Sequence, residues 1–228
     1  SKTVVLLNIG CIMDMSWMDK YGDKISAAMI VWQGGMESGN AVADLLCGKV
    51  SPSGKLSDTI AEEYEDYPSS KDFGSIAFNN YKEDIYVGYR YFETFEKDDV
   101  LYPFGFGLSY TNFELKMGNV KKGKNGVTVE CTVKNVGEFS GKEVVQVYVK
   151  KPCGTLGNPA RELVGFAKTG LLAPKKSEKV KIEIPNEYFC SYDDSGKSGY
   201  AYSYVMEEGE YKLYVGIDVR SAEKVWSY

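Results

Sequence analysis

Between Gly126 and Gly137 the chain reads GVTVECTVKNVG, an alternation that constrains the fold more than any other stretch. Val127, Val129, Cys131 and Val133 fall on one face, with Thr128, Glu130 and Thr132 on the other. A period of two fits a β-strand half buried against a core and fits no helix. Four more strand-like runs follow: KEVVQVYVK, RELVGFAKT, EKVKIEIP and GEYKLYVGID, separated by Gly, Pro, Asn and Ser. About seven short strands in roughly 110 residues is the pattern of an immunoglobulin-like sandwich. The Cys…Trp…Cys spacing of an antibody domain is not present.

Upstream of Phe113 the grammar is different. Val4 to Leu7 is a continuous apolar run, as expected of a strand buried on both faces. Ser16 with Asp19 three residues on reads as a capping box opening a short helix through about Lys24. Ala27 to Trp32 is a second apolar run, and QGGMESG follows it. A helix is predicted over about 37–46, with Ala41, Val42, Leu45 and Leu46 as its apolar stripe and Gly48 as its stop. SPSG is a turn, and Leu56 to Ile60 reads as a third strand. Strand and helix alternating through glycine-rich turns is the grammar of an α/β sheet. The aromatic stretches IYVGYRYFETF and YPFGFGLSYT read as a packed connector. The expected architecture is therefore an α/β unit over residues 1–111, part of an α/β sandwich, followed by an all-β sandwich over 112–228.

Composition excludes several chemistries. A net charge of −5 argues against a nucleic-acid binder, which would show a basic face. The sequence has no histidine, which removes Ser-His-Asp hydrolysis, Cys-His proteolysis and His-ligated zinc together. Cys11, Cys47, Cys131, Cys153 and Cys190 show no two-residue metal or redox spacing. Scattered and odd in number, they read as reduced thiols, so the expected location is cytoplasmic. No apolar run approaches the roughly 20 residues of a membrane span, and the N-terminus does not read as a signal peptide. The sequence opens almost directly on a strand, so export information could lie on a longer parent. No metal or cofactor is expected.

Local motifs offer little chemistry. QGGMESG precedes a helix but matches neither the dinucleotide fingerprint nor the Walker pattern. In Gly105-Phe106-Gly107-Leu108-Ser109 the glycines do not bracket the serine, so it is no nucleophile elbow. Glu37 stands at a strand end, where α/β sites gather, and in a first helical turn, where the dipole favours acids for structural reasons. Residues 61–84 form a polar, acidic and then aromatic excursion. Long loops inside compact domains are often functional. Phe73, Phe78, Asn79, Asn80 and Tyr81 within it are the candidate substrate-facing residues: the rings offer stacking faces and the amides paired donors and acceptors. The alternative is that Phe73 and Phe78 only pin the loop to its own domain.

The order of motifs resembles glycoside hydrolase family three. KTVVLLNIGCIMDMSW resembles the family's strand leading into an Asn-x-Gly turn and ending at tryptophan. MIVWQGGMESGNAVADLLCGKVSPSGKL resembles its most characteristic stretch. There the family commonly reads Gly-Gln-x-Gly-Gly-x-Ala and ends in Lys-Leu-Pro, where this chain has QGGMESG and Ser57. IYVGYRYFET and YPFGFGLSYTNF resemble the link into its last domain. Asn135-x-Gly137, Gly141-x-Glu143-Val144-x-Gln146-Val147-Tyr148 and Arg161-Glu162-Leu163-x-Gly165-Phe166 resemble its fibronectin type III-like domain. The wording around YKEDIYVGYRYFETF is most similar to β-glucosidases of anaerobic bacteria, some of which place this block before the barrel.

The resemblance implies a retaining, exo-acting β-glucosidase working with two carboxylates. In the family the aspartate nucleophile sits in a TIM-like barrel, and the acid/base glutamate sits on a sandwich segment upstream of where this chain begins. Neither motif is matched. Ser57-Asp58-Thr59 has a superficial likeness to the nucleophile's setting but follows PSGKL. The resemblance thus gives this chain no catalytic carboxylate and makes it scaffold and active-site rim. Its expected partners are β-glucosides or oligosaccharides, with the barrel and upstream sandwich segment as a covalent or separate chain, and neither nucleic acid nor membrane. Two alternatives stand: a non-catalytic carbohydrate-binding or adhesion module, and a xylosidase or arabinofuranosidase of the same family.

Overall fold

The computed structural model describes residues 2–228. Strand β1 (Val4–Leu7) lies parallel to β2 (Ala27–Ile30), with Val4 opposite Ala27 and Leu7 opposite Ile30. Between them runs helix α1 (Trp17–Tyr21), followed by a single 3-10 turn at Gly22–Lys24. The expected Ser16 capping box is not formed. Ser16 is already helical, and its N–H donates instead to the carboxylate of Asp14 at 2.8 Å, which turns the chain locally before the helix starts. Helix α2 (Ser38–Leu46) follows β2 and stops at Gly48, whose φ of 72° suits glycine.

The expected strand over 56–60 is displaced. Strand β3 is Ile60–Ala61 alone, and it pairs antiparallel with β4 (Val100–Tyr102). Leu56 is instead bonded to the aromatic connector: its N–H donates to Phe106 and its carbonyl accepts from Gly105, both at 2.8 Å. Between β3 and β4 lie the excursion and the short helix α3 (Tyr89–Phe92). Ala61, Phe92 and Val100 form a small core there, with Tyr67 and Tyr91 against it.

The remaining strands are β5 (Phe113–Lys122), β6 (Gly126–Asn135), β7 (Val144–Lys150), β8 (Glu162–Lys168), β9 (Ser177–Pro185), β10 (Ser191–Asp193), β11 (Ser203–Val205), β12 (Lys212–Gly216) and β13 (Glu223–Ser227). One sheet has the order β5-β6-β9 and the other β13-β12-β7-β8; β10 and β11 form a separate hairpin. The alternating β6 behaves as its sequence demands, since Val127, Val129, Cys131 and Val133 are all buried. They meet Val145, Val147, Val149 and Leu213 from the facing sheet. Full burial of each such side chain contributes about 1.5–3 kcal/mol.

Strand β7 departs from alternation, because Val145 through Val149 are buried without exception. Its valines face the sandwich core. Gln146 and Tyr148 face the other way and are covered by Tyr89, Phe104 and Gly105 of the first unit together with Ile217, Val219 and Ala222 from the turn between β12 and β13. Strand β7 is therefore enclosed on both faces, whereas Phe166, opposite Gln146 on the neighbouring β8, is exposed. The α/β end is the reverse. Val4 and Leu6 of β1 are exposed, Ala27 and Ala28 of β2 are exposed, and α2 buries no residue. The apolar run predicted to be covered on both faces is only half covered within these residues.

Candidate functional site

Two regions carry the side chains that sequence reasoning singled out. The first is the joint between the units. Lys55 Nζ lies 2.8 Å from Glu143 Oε1, with only 11% and 7% of the two side chains exposed. The same ammonium donates to the Gly107 carbonyl at 3.2 Å, and Glu143 Oε1 accepts the Val144 N–H at 2.7 Å. Gln146 Nε2 donates to the Ile217 carbonyl at 2.6 Å and to that of Gly105 at 3.4 Å. The Tyr148 hydroxyl donates to Gln146 Oε1. Burial, first, and then nearby acidic groups push the Tyr148 phenol far up, so it stays a neutral donor.

Packing at the joint leaves no slack. A β-carbon on Gly105, whose φ is 82°, would lie 2.3 Å from Gln146 Oε1. One on Gly107 would lie 2.3 Å from the Gly54 carbonyl oxygen. Tyr89, Phe104 and Tyr148 pack ring on ring, with centroids 4.4 to 6.5 Å apart. The Tyr89 hydroxyl accepts the Leu163 N–H at 2.8 Å, and Thr94 Oγ1 accepts that of Ala160 at 2.9 Å. The motifs PSGKL, GYRYFET, YPFGFG and GxEVxQVY thus converge in space on one interface. Each contains residues whose partners lie in another.

The second region is the excursion. It leaves from β3, where the Tyr67 hydroxyl donates to Thr59 and accepts from Ala61, both at 2.9 Å. The Tyr67 ring meets Phe92 edge-on at 5.6 Å. A capping box that the sequence reading did not single out opens the turn at Tyr64–Asp66, with Glu63 and Asp66 bonding each other's backbone. The sequence carried its signal, an acid three residues after an acid. Lys82 and Asp72 pair at 2.7 Å and tie the two limbs of the loop together.

The candidate residues lie along the outside of this loop. Phe73, Phe78 and Tyr81 are 83%, 70% and 86% exposed; Asn79 and Asn80 are exposed beside them, as is Ile76. Phe73 touches Tyr64 edge-on at 6.5 Å; for Phe78 and Tyr81 no aromatic partner exists among the described residues. Phe73 thus has one ring contact within the excursion, while Phe78 and Tyr81 present their rings outward. Glu37 is also exposed: it occupies the position just before α2 and accepts from Asn40 Nδ2. Among the described residues no group of three or more Cys, Asp or Glu side chains could hold a metal ion, and no helix is long and apolar enough to cross a membrane.

An α/β unit fixed to one sheet of a fibronectin-like sandwich, with an exposed aromatic loop between β3 and β4, has close counterparts among the glycosyl hydrolases. Residues 1–110 match the glycosyl hydrolase family 3 C-terminal domain, and residues 143–219 the fibronectin type III-like domain. A β-glucosidase of Ruminococcus albus is 50% identical over 228 residues, 100% of this chain and 24% of its own length. β-Glucosidase A of Butyrivibrio fibrisolvens is 45% identical over 96% of this chain and 28% of its own. Among solved structures, a β-glucosidase from Paenibacillus barengoltzii superposes with a TM-score of 0.94 at 51% identity, over 99% of this chain and 25% of that one. β-Glucosidase 3B from Thermotoga neapolitana, solved with α-D-glucose, gives 0.86 at 40% identity, over 99% and 30%. The chain belongs to glycoside hydrolase family three, and it spans about a quarter of the length of these relatives.

Proposed function

We propose that these residues are part of a retaining, exo-acting β-glucosidase that removes terminal non-reducing β-D-glucosyl residues. The observation that carries this reading is the end-to-end match, at 50% identity, to a protein named β-glucosidase. Residues 1–111 serve as one end of the α/β sandwich, and 112–228 as the fibronectin-like domain that braces it. The nucleophile and the acid/base lie outside residues 1–228, so the chemistry of glycosyl transfer to a carboxylate and release by water is performed elsewhere in the protein. This chain supplies the rim. Phe73, Phe78 and Tyr81 offer faces to the apolar side of a pyranose ring, while Asn79 and Asn80 offer donors and acceptors to its hydroxyls. The exposure of every one of these groups, on a loop tied at its base, supports that assignment. The unpaired state of all five cysteines supports a reducing, cytoplasmic setting.

The test uses the full-length protein and an aryl β-glucoside. Turnover is expected, and Phe78→Ala or Asn79→Ala should raise KM about tenfold, roughly 1.4 kcal/mol of lost binding, with an unchanged thermal midpoint. A fall in thermal midpoint at normal KM would leave the loop a structural role only. Absence of glucoside turnover by the full-length protein would sink the reading as a whole.

A further inference from the structure

We infer that Arg220, on the fibronectin-like domain, is a positioning residue for the sugar-facing loop of the other unit; the functional part of this inference rests on the rim assignment above. Arg220 sits in the turn between β12 and β13, and that turn is stiff. Asp218 Oδ1 accepts the N–H groups of Arg220 and Ser221 at 2.8 and 2.7 Å, and Ser221 Oγ accepts those of Ile217 and Asp218. Val219 is buried among Tyr148, Tyr89 and Phe104, and its N–H donates to the Phe104 carbonyl at 3.1 Å. The turn is therefore a rigid arm of the second domain held inside the first.

From that arm the Arg220 guanidinium reaches the end of α3. Its Nε donates to Glu93 Oε1 at 3.0 Å, and its Nη2 donates to the Lys97 carbonyl. The Glu93 side chain is only 5% exposed, and its other cation, Lys97 Nζ, is 3.9 Å away. Without Arg220 the end of α3 would carry a buried carboxylate with one distant, solvated partner, an arrangement that drives local rearrangement. The planar guanidinium holds the Glu93 side chain and the Lys97 backbone through two separate N–H groups in a fixed fork, a geometry that the single ammonium of a lysine does not reproduce.

The connection continues from α3 toward the sugar-facing residues. A run of single turns, each closed by one backbone hydrogen bond, leads back along the chain: Tyr91 to Gly88, Arg90 to Val87, Tyr86 to Glu83, Asp84 to Tyr81 and Lys82 to Asn80. The Tyr86 hydroxyl lies beside Gly157 of the second domain, and its ring meets Phe95 of the first at 4.9 Å. These turns join α3 to Asn80 and Tyr81. Displacing α3 displaces the rim.

The experiment compares full-length wild type with Arg220→Ala and Arg220→Lys. Hydrogen–deuterium exchange should speed up at least severalfold in peptides within 80–96 for Arg220→Ala. Peptides within 127–149, in the sandwich core, should exchange as in wild type. Arg220→Lys should be intermediate. With the aryl glucoside, KM should rise at least about threefold in Arg220→Ala with kcat within twofold of wild type. Unchanged exchange across 80–96 in both variants would overturn the inference, as would a lower thermal midpoint accompanied by wild-type KM. If Arg220→Ala does not fold, Arg220→Lys alone decides by the same exchange measurement. The exchange result needs no sugar, so it judges Arg220 even where a normal KM in Phe78→Ala has removed the rim assignment.

Discussion

Glu143 shows how much one buried side chain can settle. Its carboxylate is the counter-charge for Lys55 and also accepts a backbone N–H of its own strand. Glu143→Gln keeps the shape but leaves the Lys55 ammonium buried without an opposite charge. Breaking a buried pair from one side costs about 3–5 kcal/mol, so the urea midpoint of the full-length protein should fall accordingly. Asp193 illustrates a different balance. It is fully buried and anchors the loop between β10 and β11. The Ser198 hydroxyl, then backbone N–H groups of Ser198, Ser195 and Gly196, hold its carboxyl well below the usual 3.8. A carboxyl whose folded-state value is depressed stabilises above its ordinary value, and that stability is lost as pH falls through the folded value. Asp193→Asn should therefore lower the thermal midpoint at pH 7, and the gap from wild type should close as pH drops below about 4. A gap that persists at low pH would assign the effect to packing.

At the scale of elements, β7 is the strand on which the two units depend. Three of its valines belong to the sandwich core, and Gln146 and Tyr148 belong to the joint. Changes on its two faces should have separate consequences. Tyr148→Phe keeps the ring stack with Tyr89 and Phe104 but removes the donor to Gln146 Oε1. An unsatisfied buried acceptor costs about 1–3 kcal/mol. In the full-length protein this should appear as lower stability with faster amide exchange at 104–106 and 217–219, while the β5-β6-β9 sheet keeps its protection. Loss of protection in both sheets together would show that joint and core unfold as one unit.

At the scale of the whole molecule, the asymmetry of burial is the main feature. The second unit is closed around its own core, whereas β1, β2 and α2 present Val4, Leu6, Ala27, Ala28 and Leu46 outward. Two parallel strands alone cannot cover both of their faces. Residues 1–228 produced in isolation should bind a hydrophobic dye and self-associate, and should not turn over an aryl β-glucoside. A monodisperse isolated chain without dye binding would contradict the first expectation. Turnover abolished by changing one of its own carboxylates would contradict the second.

Sequence alone determined those features that repeat along the chain. The alternation in β6 specifies which residues point inward, because side chains on a strand change face at every step. The apolar stripe and Gly48 specify α2 and its end for the same local reason. Motif order was enough to recognise the family, although not to explain it. Contacts between residues far apart in the chain were decided only by tertiary structure. Lys55 finds Glu143, Gln146 finds Gly105 and Ile217, and Arg220 finds Glu93 across 127 positions. No periodicity encodes such pairs, and Gln146 and Glu93 read in isolation as ordinary polar surface residues. The same limit applies to Ser16 and to the strand expected over 56–60. Each followed a sound local preference, and each lost to a competing partner, the Asp14 carboxylate in one case and the backbone of Gly105 and Phe106 in the other. A hydrogen-bonding group takes the partner that folding brings to it, and that partner is a property of the assembled chain.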